Sequence, residues 1–135
     1  MHGGLTLAYN RDLELLAHPP IFVTAEDALL IFSSAEDART HVNWPYVEAG
    51  LYRAYDSDGR LIEFKVDRLP VKRRFFLGTR VDRRVILSVE DEPTHAYELR
   101  AALIQALGRT IPEEIGRASL SELKKLALAR FGFVP

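Results

Sequence analysis

An α+β fold, an antiparallel sheet with helices packed on one face, is what this sequence predicts, and three observations predict it. A turn flanked by two period-two segments lies mid-chain. The last third changes to helical period and carries cap signals. Strands precede helices with no regular βαβ alternation, the order expected of an α+β domain rather than a parallel one. The chain has 135 residues, a length that predicts a single domain spanning 1–135. No linker or low-complexity stretch interrupts it.

Leu5-Thr6-Leu7-Ala8-Tyr9 reads as a first strand. Thr24-Ala25-Glu26-Asp27 and Ser34-Ala35-Glu36-Asp37 are near-copies ten residues apart. Each places a hydroxyl cap before acids that suit the positive end of a helix, so both read as helix starts. Between them Leu29-Leu30-Ile31-Phe32 fits a buried strand or the end of a short helix, and residues 24–33 stay open between the two. Leu51-Tyr52-Arg53-Ala54-Tyr55 and Leu61-Ile62-Glu63-Phe64-Lys65-Val66 flank Asp56-Ser57-Asp58-Gly59. Turn-forming Asp, Ser and Gly between such runs predict a hairpin. Ile62, Phe64 and Val66 share its buried face, and Pro70 is expected to end it because proline cannot donate to a ladder. Arg73-Arg74-Phe75-Phe76-Leu77 and Arg84-Val85-Ile86-Leu87-Ser88-Val89-Glu90 read as two further strands, which would complete a meander. Thr94 then caps a helix with Leu99, Leu103, Ala106 and Leu107 on its apolar stripe, stopping before Gly108. Ser119-Leu120-Ser121-Glu122 is a capping box. It opens a second C-terminal helix with Leu120, Leu123, Leu126, Ala127 and Phe131 inward and Gly132 at its end.

Composition narrows the function classes. An apolar fraction of 47% with 27% charged residues is that of an ordinary soluble globule. No cysteine is present, which removes disulfides, thiolate metal sites and cysteine nucleophiles. No basic-then-apolar leader opens the chain, and no apolar run reaches the roughly 20 residues of a membrane span. A cytoplasmic location, with no membrane partner, is the expectation.

The charge is sorted into blocks. Residues 1–64 carry four Lys+Arg against ten Asp+Glu, residues 65–84 eight against two, and residues 85–135 six against seven. Segregation of this kind points to a charged partner more than to chemistry.

Catalytic signals are sparse. His2, His18, His41 and His95 show no i, i+3 or i, i+4 pairing that would converge on a metal. His41, near Glu36 and Asp37, and His95, after Glu90-Asp91-Glu92, could each serve as a general base, although exposed helix and loop positions are the plainer reading. Asp56 and Asp58 begin like a calcium loop, but the sixth and twelfth positions are Leu61 and Asp67 where Gly and Glu are needed. Neither a G-x-S-x-G elbow nor a glycine-rich phosphate loop occurs. The expectation is no enzyme, no cofactor and no metal.

Two binding surfaces remain. Arg68, Lys72, Arg73, Arg74, Arg80, Arg83 and Arg84, interleaved with Phe75 and Phe76, could hold a nucleic acid by phosphate neutralisation and stacking. A pI near 6.4 and the role of edge arginines in blocking strand pairing count against it. Glu48, Asp56 and Asp58 lie near Trp44, Tyr46, Tyr52 and Tyr55, which sets acids beside residues favoured at protein interfaces.

Tyr55-Asp56-Ser57-Asp58-Gly59-Arg60-Leu61-Ile62, with Val85-Ile86-Leu87-Ser88 and Glu92-Pro93-Thr94-His95-Ala96-Tyr97-Glu98-Leu99-Arg100, resembles bacterial immunity proteins of polymorphic-toxin and contact-dependent growth inhibition systems, over about residues 50–107. The resemblance implies a non-enzymatic α+β domain that neutralises a cognate toxin by covering its active site. A nuclease toxin, with a cationic cleft, would suit an acidic inhibitor. On this expectation Trp44 and Tyr46 are anchors and Glu48, Asp56 and Asp58 are electrostatic contacts. The alternative is a nucleic-acid-binding module using Arg73, Arg74, Arg80, Arg83 and Arg84.

Overall fold

A computed structural model describes residues 5–8, 16–72, 79–108 and 116–135, with side chains at 5–8, 69–72 and 79–82 left aside. The strands are β1 (Leu5–Ala8), β2 (Ile21–Ala25), β3 (Ala28–Phe32), β4 (Tyr52–Tyr55), β5 (Leu61–Lys72) and β6 (Thr79–Glu90). The helices are α1 (Ala35–His41), α2 (Trp44–Glu48), α3 (Ala96–Leu107) and α4 (Leu120–Phe131). All six strands join one antiparallel sheet in the order β1-β6-β5-β4-β2-β3. The fold is α+β, as the periodicities predict.

Alternation along the strands divides the core into two faces. Phe22, Leu29, Ile31, Tyr55 and Leu61 point to one, where Leu99, Leu103 and Leu107 of α3 and Leu123 and Ala127 of α4 cover them. Ile21, Val23, Phe32, Ala54, Ile62, Leu87 and Val89 point to the other, against Ala35 and Ala38 of α1. Beside that second cluster, Val42, Val47 of α2 and Val85 form a smaller one, with Tyr52, Phe64 and Val66 against it. Helices therefore lie on both faces: the C-terminal pair on one, as expected, and the short α1 and α2 on the other. The two short helices carry too few apolar positions for periodicity to assign them a side.

Local signals explain most boundaries. Ser34 Oγ accepts the Asp37 N–H and starts α1. Ser119 Oγ accepts the Glu122 N–H, the cap bond that starts α4, and donates to Glu122 Oε1. Thr94 is not the cap of α3. That position falls to His95, which makes no side-chain cap bond. Leu126 and Phe131 are 46% and 42% exposed, so the buried stripe of α4 is narrower than its apolar content suggests.

The near-copies diverge. Thr24-Ala25-Glu26-Asp27 opens no helix; it ends β2 and turns into β3, pairing Ala25 with Ala28. Glu26 takes φ 55° to make that turn. The apolar segments on both sides find more buried area as a hairpin in the sheet than one helical turn would offer, and tertiary burial overrides the cap signal.

Pro70 does not end β5. It sits within the strand opposite Val81, and pairing runs on to Lys72 and Thr79. β5 pairs directly with β6, so the expected strand at 73–77 does not stand between them, and residues 73–78 themselves lie outside the described residues.

Truncating Leu103, which is fully buried between α3 and the sheet, by Leu103→Ala should cost about 2–5 kcal/mol in denaturant unfolding. Glu26→Gly should instead gain about 1 kcal/mol, because glycine carries no steric penalty at positive φ.

Candidate functional site

The loop between β4 and β5 is organised by a fully buried carboxylate. Asp56 has no exposed surface. Its Oδ1 accepts the N–H groups of Asp58 at 2.9 Å and Arg60 at 2.8 Å. Its Oδ2 accepts the His18 N–H at 3.0 Å and Arg60 Nη1 at 3.2 Å. Four donors satisfy the carboxylate and tie the turn to the segment preceding β2. Asp58 Oδ2 receives the same Arg60 Nη1 at 2.9 Å and contacts His18 Nδ1. His18, Asp56 and Asp58 have the donor types of a metal site and lie close together, but the cation among them is the Arg60 guanidinium.

Asp56 is therefore no partner contact, correcting the sequence-based expectation: it is buried structure. Asp58 stays at the surface with its charge already paired. Burial pushes its carboxyl up, but hydrogen bonds from His18 and Arg60 outweigh burial and hold it below its ordinary value. Burial likewise opposes the Arg60 charge, and Asp58 and Asp56 more than restore it.

A second polar chain runs across the face of the sheet under α3. Glu90 accepts from the Leu61 N–H at 3.1 Å, from the Thr94 hydroxyl and from His95 Nδ1, at 2.8 Å. His95 Nε2 lies 3.3 Å from Glu98 Oε2. Arg53 Nη2 donates to both Glu98 oxygens, at 2.9 and 3.0 Å, and its Nε to the Tyr55 hydroxyl at 3.2 Å. His95 does meet the carboxylate expected to orient it, but its other nitrogen faces a second carboxylate. The ring is a clamp between β6 and α3. His41 likewise joins Asp37 O, at 2.9 Å, to Pro135 O, at 3.1 Å, which secures the chain beyond α4. His2 lies outside the described residues.

The aromatic stretch behaves differently. Asn43-Trp44-Pro45 sets α2 going with proline in its first turn. Trp44 and Tyr46 are left 38% and 51% exposed. Arg83 of β6 places its guanidinium carbon 4.4 Å from the Trp44 ring centroid, a cation–π stack. Arg68 of β5, the cross-strand partner of Arg83, pairs with Glu48. Tyr46, Tyr52 and Phe64 follow as ring neighbours, each 6.3 Å from the next, and the Tyr52 hydroxyl accepts the Asn43 N–H.

The two surfaces kept apart in sequence thus meet on folding. Of the arginines assigned to nucleic acid, Arg83 stacks on Trp44 and Arg84 pairs with Asp67 at 3.2 Å. Arg73 and Arg74 lie outside the described residues, and Arg80 is placed by its backbone in β6. Sequence separation hid the role of Arg83; the fact that 68 and 83 face each other across a hairpin becomes visible only with the register.

Two cavities flank this end of the sheet. One of about 290 Å³ lies between the β2–β3 turn and α3, with Tyr55 and Glu98 in its wall. Another of about 180 Å³ opens beside β4 and β5, lined in part by Val47, Tyr52, Arg53 and Phe64. Among the described residues no helix is long and apolar enough to cross a membrane. Comparison of the chain with protein-family models, curated proteins and solved structures returned no match.

The polar clusters set a pH dependence. Burial raises Glu90, but hydrogen bonds from Thr94, His95 and the Leu61 N–H outweigh it and leave the group below its ordinary value of 4.5. A depressed carboxyl contributes stability above its unfolded pKa and loses it as pH falls through the folded value. The thermal midpoint should therefore hold from pH 7 to 5 and drop below about 4.5. Glu90→Gln should shallow that drop. Asp56→Ala, which takes the acceptor from the N–H groups of His18, Asp58 and Arg60, should cost about 3 kcal/mol or more at neutral pH.

Proposed function

We propose that this chain is an immunity-type protein, a non-enzymatic bacterial domain that binds a cognate toxin in the cytoplasm and occludes its active site. The observation that carries this reading is the surface of α2 and the adjoining strands. Trp44 and Tyr46 stand exposed there, and Arg83 is held against the tryptophan face. Trp, Tyr and Arg are the residue types that dominate binding hot spots, and here they are pre-positioned rather than free.

The arrangement alters the expected mechanism. Glu48, Asp56 and Asp58 were to mimic an acidic substrate, yet Asp56 is buried and the other two are paired with Arg68, His18 and Arg60. Anchoring by Trp44 and Tyr46 is the better-supported source of affinity, with Glu48–Arg68 as a polar rim. A nuclease partner would then be excluded from its substrate by shape more than by charge.

Co-expression with the product of the adjacent upstream gene, followed by size-exclusion chromatography with light scattering, should give a one-to-one complex in which the partner's toxicity is lost. Trp44→Ala should weaken that complex at least tenfold, about 1.4 kcal/mol or more, and Asp58→Asn by less than about threefold. No complex, or equal affinity for Trp44→Ala and wild type, would contradict the reading.

A further inference from the structure

The β5–β6 ladder is much longer than either of its flanks. Among the described residues, β6 pairs with β1 over residues 87–90 and β5 pairs with β4 at Leu61 and Ile62. From Glu63 to Lys72 the ladder of β5 is single-sided among the described residues. An unpaired strand edge is a template for another strand, and sequences normally guard against that.

Which backbone groups face outward follows from two independent facts. The Asp56 N–H donates to Arg60 O, which makes 56 and 60 a hydrogen-bonded pair. Two residues on, Ala54 and Ile62 form the next such pair, so Ile62 presents its N–H and C=O toward β4. Counting along β5, Phe64, Val66, Arg68 and residue 70 point the same way. Residue 70 is a proline opposite Val81 in an unbroken ladder. It lacks an N–H and is accommodated there only if that position points away from β6. Both facts give the same parity. Val66 and Arg68 therefore offer their N–H and C=O groups at the outer edge, with Phe64 behind them, and Pro70 closes the row.

The surroundings suit an extended chain. Where β4 and β5 part, a cavity of about 180 Å³ opens between Tyr52 and Arg53 on one side and Glu63 and Phe64 on the other, with Val47 and Gly50 above. It is large enough for one side chain of an added strand. On the α2 face such a strand would meet Phe64, Val66 and the exposed aromatics. On the opposite face it would pass Glu63, the exposed Lys65 and the Asp67–Arg84 pair, a polar surface of mixed sign.

We propose that the partner is captured by strand addition: an extended segment of the toxin, apolar on one side and polar on the other, pairs with β5 at residues 64–68. This rests on the binding reading above and specifies its mode. Main-chain bonds supply affinity in such additions and alternate side chains supply selectivity.

Val66→Pro removes one outward N–H and, like Pro70, leaves the β6 ladder intact. Val66→Ala loses similar packing but keeps the N–H. With the upstream gene product as probe, Val66→Ala should bind within about threefold of wild type and Val66→Pro at least tenfold more weakly, their thermal midpoints staying close together. Equal affinity of the two variants overturns strand addition while leaving the binding function standing. Failure of wild type to bind overturns both. A wild-type homodimer that Val66→Pro dissociates would give the edge to a second copy of this chain, and likewise overturn the proposal.

Discussion

The ladder between β5 and β6 outruns every strand beside it, and most of the surface follows from that mismatch. Both strands run twelve residues, while their outer neighbours β1 and β4 have four each. The inner half of the hairpin is held within the sheet and buries Ile62, Leu87 and Val89. Beyond it, among the described residues, the apolar side of the ribbon is met by Val42 and by Val47 of the five-residue α2. A helix that short cannot cover the ribbon and also bury its own aromatics. Trp44 and Tyr46 are left at the surface, where Arg83 of the ribbon stacks on Trp44 and Arg68 pairs with Glu48.

That convergence changes what the charge blocks mean. The acidic first half and the basic segment 65–84 look like separate patches when read along the chain. In the fold Glu48 meets Arg68, and within the segment Asp67 meets Arg84. Ion pairs of this kind are partly exposed and contribute little to stability. Their effect is to remove charge that would otherwise be available to a partner. Among the described residues, the surface proposed for recognition offers aromatic area, an oriented guanidinium and strand backbone.

Much of the architecture was legible because local and tertiary preferences agree. The Ser119 cap, the β4–β5 turn and the alternation of Ile62, Phe64 and Val66 each state one structure, and each forms. The failures have a common cause in nonlocal burial. Thr24–Asp27 carries the same cap signal as Ser34–Asp37, but the first lies between two strands that pair with each other, whereas the second follows β3 and has no strand directly after it. Pro70 reads as a stop because its missing N–H forbids pairing on one side; that it could remain in the ladder on the other depends on a parity set ten residues away. The proposed binding surface was half visible. Trp44 and Tyr46 could be picked out as aromatics beside acids, whereas Arg83 as the neighbour of Trp44 needed the hairpin register. Asp56 looked like an exposed turn acid, and only its four donors, drawn from residues 18, 58 and 60, show why it is buried.

The claim on which this account turns is that β5 presents alternate backbone groups at an open edge. Residue-resolved amide hydrogen exchange on the free protein reads it without any partner. Val66 and Arg68 should exchange rapidly, while Lys65 and Asp67, bonded to β6, should be protected by at least two orders of magnitude more. Uniform protection from 63 to 68 would mean that the edge is already filled, and strand addition would have nowhere to occur.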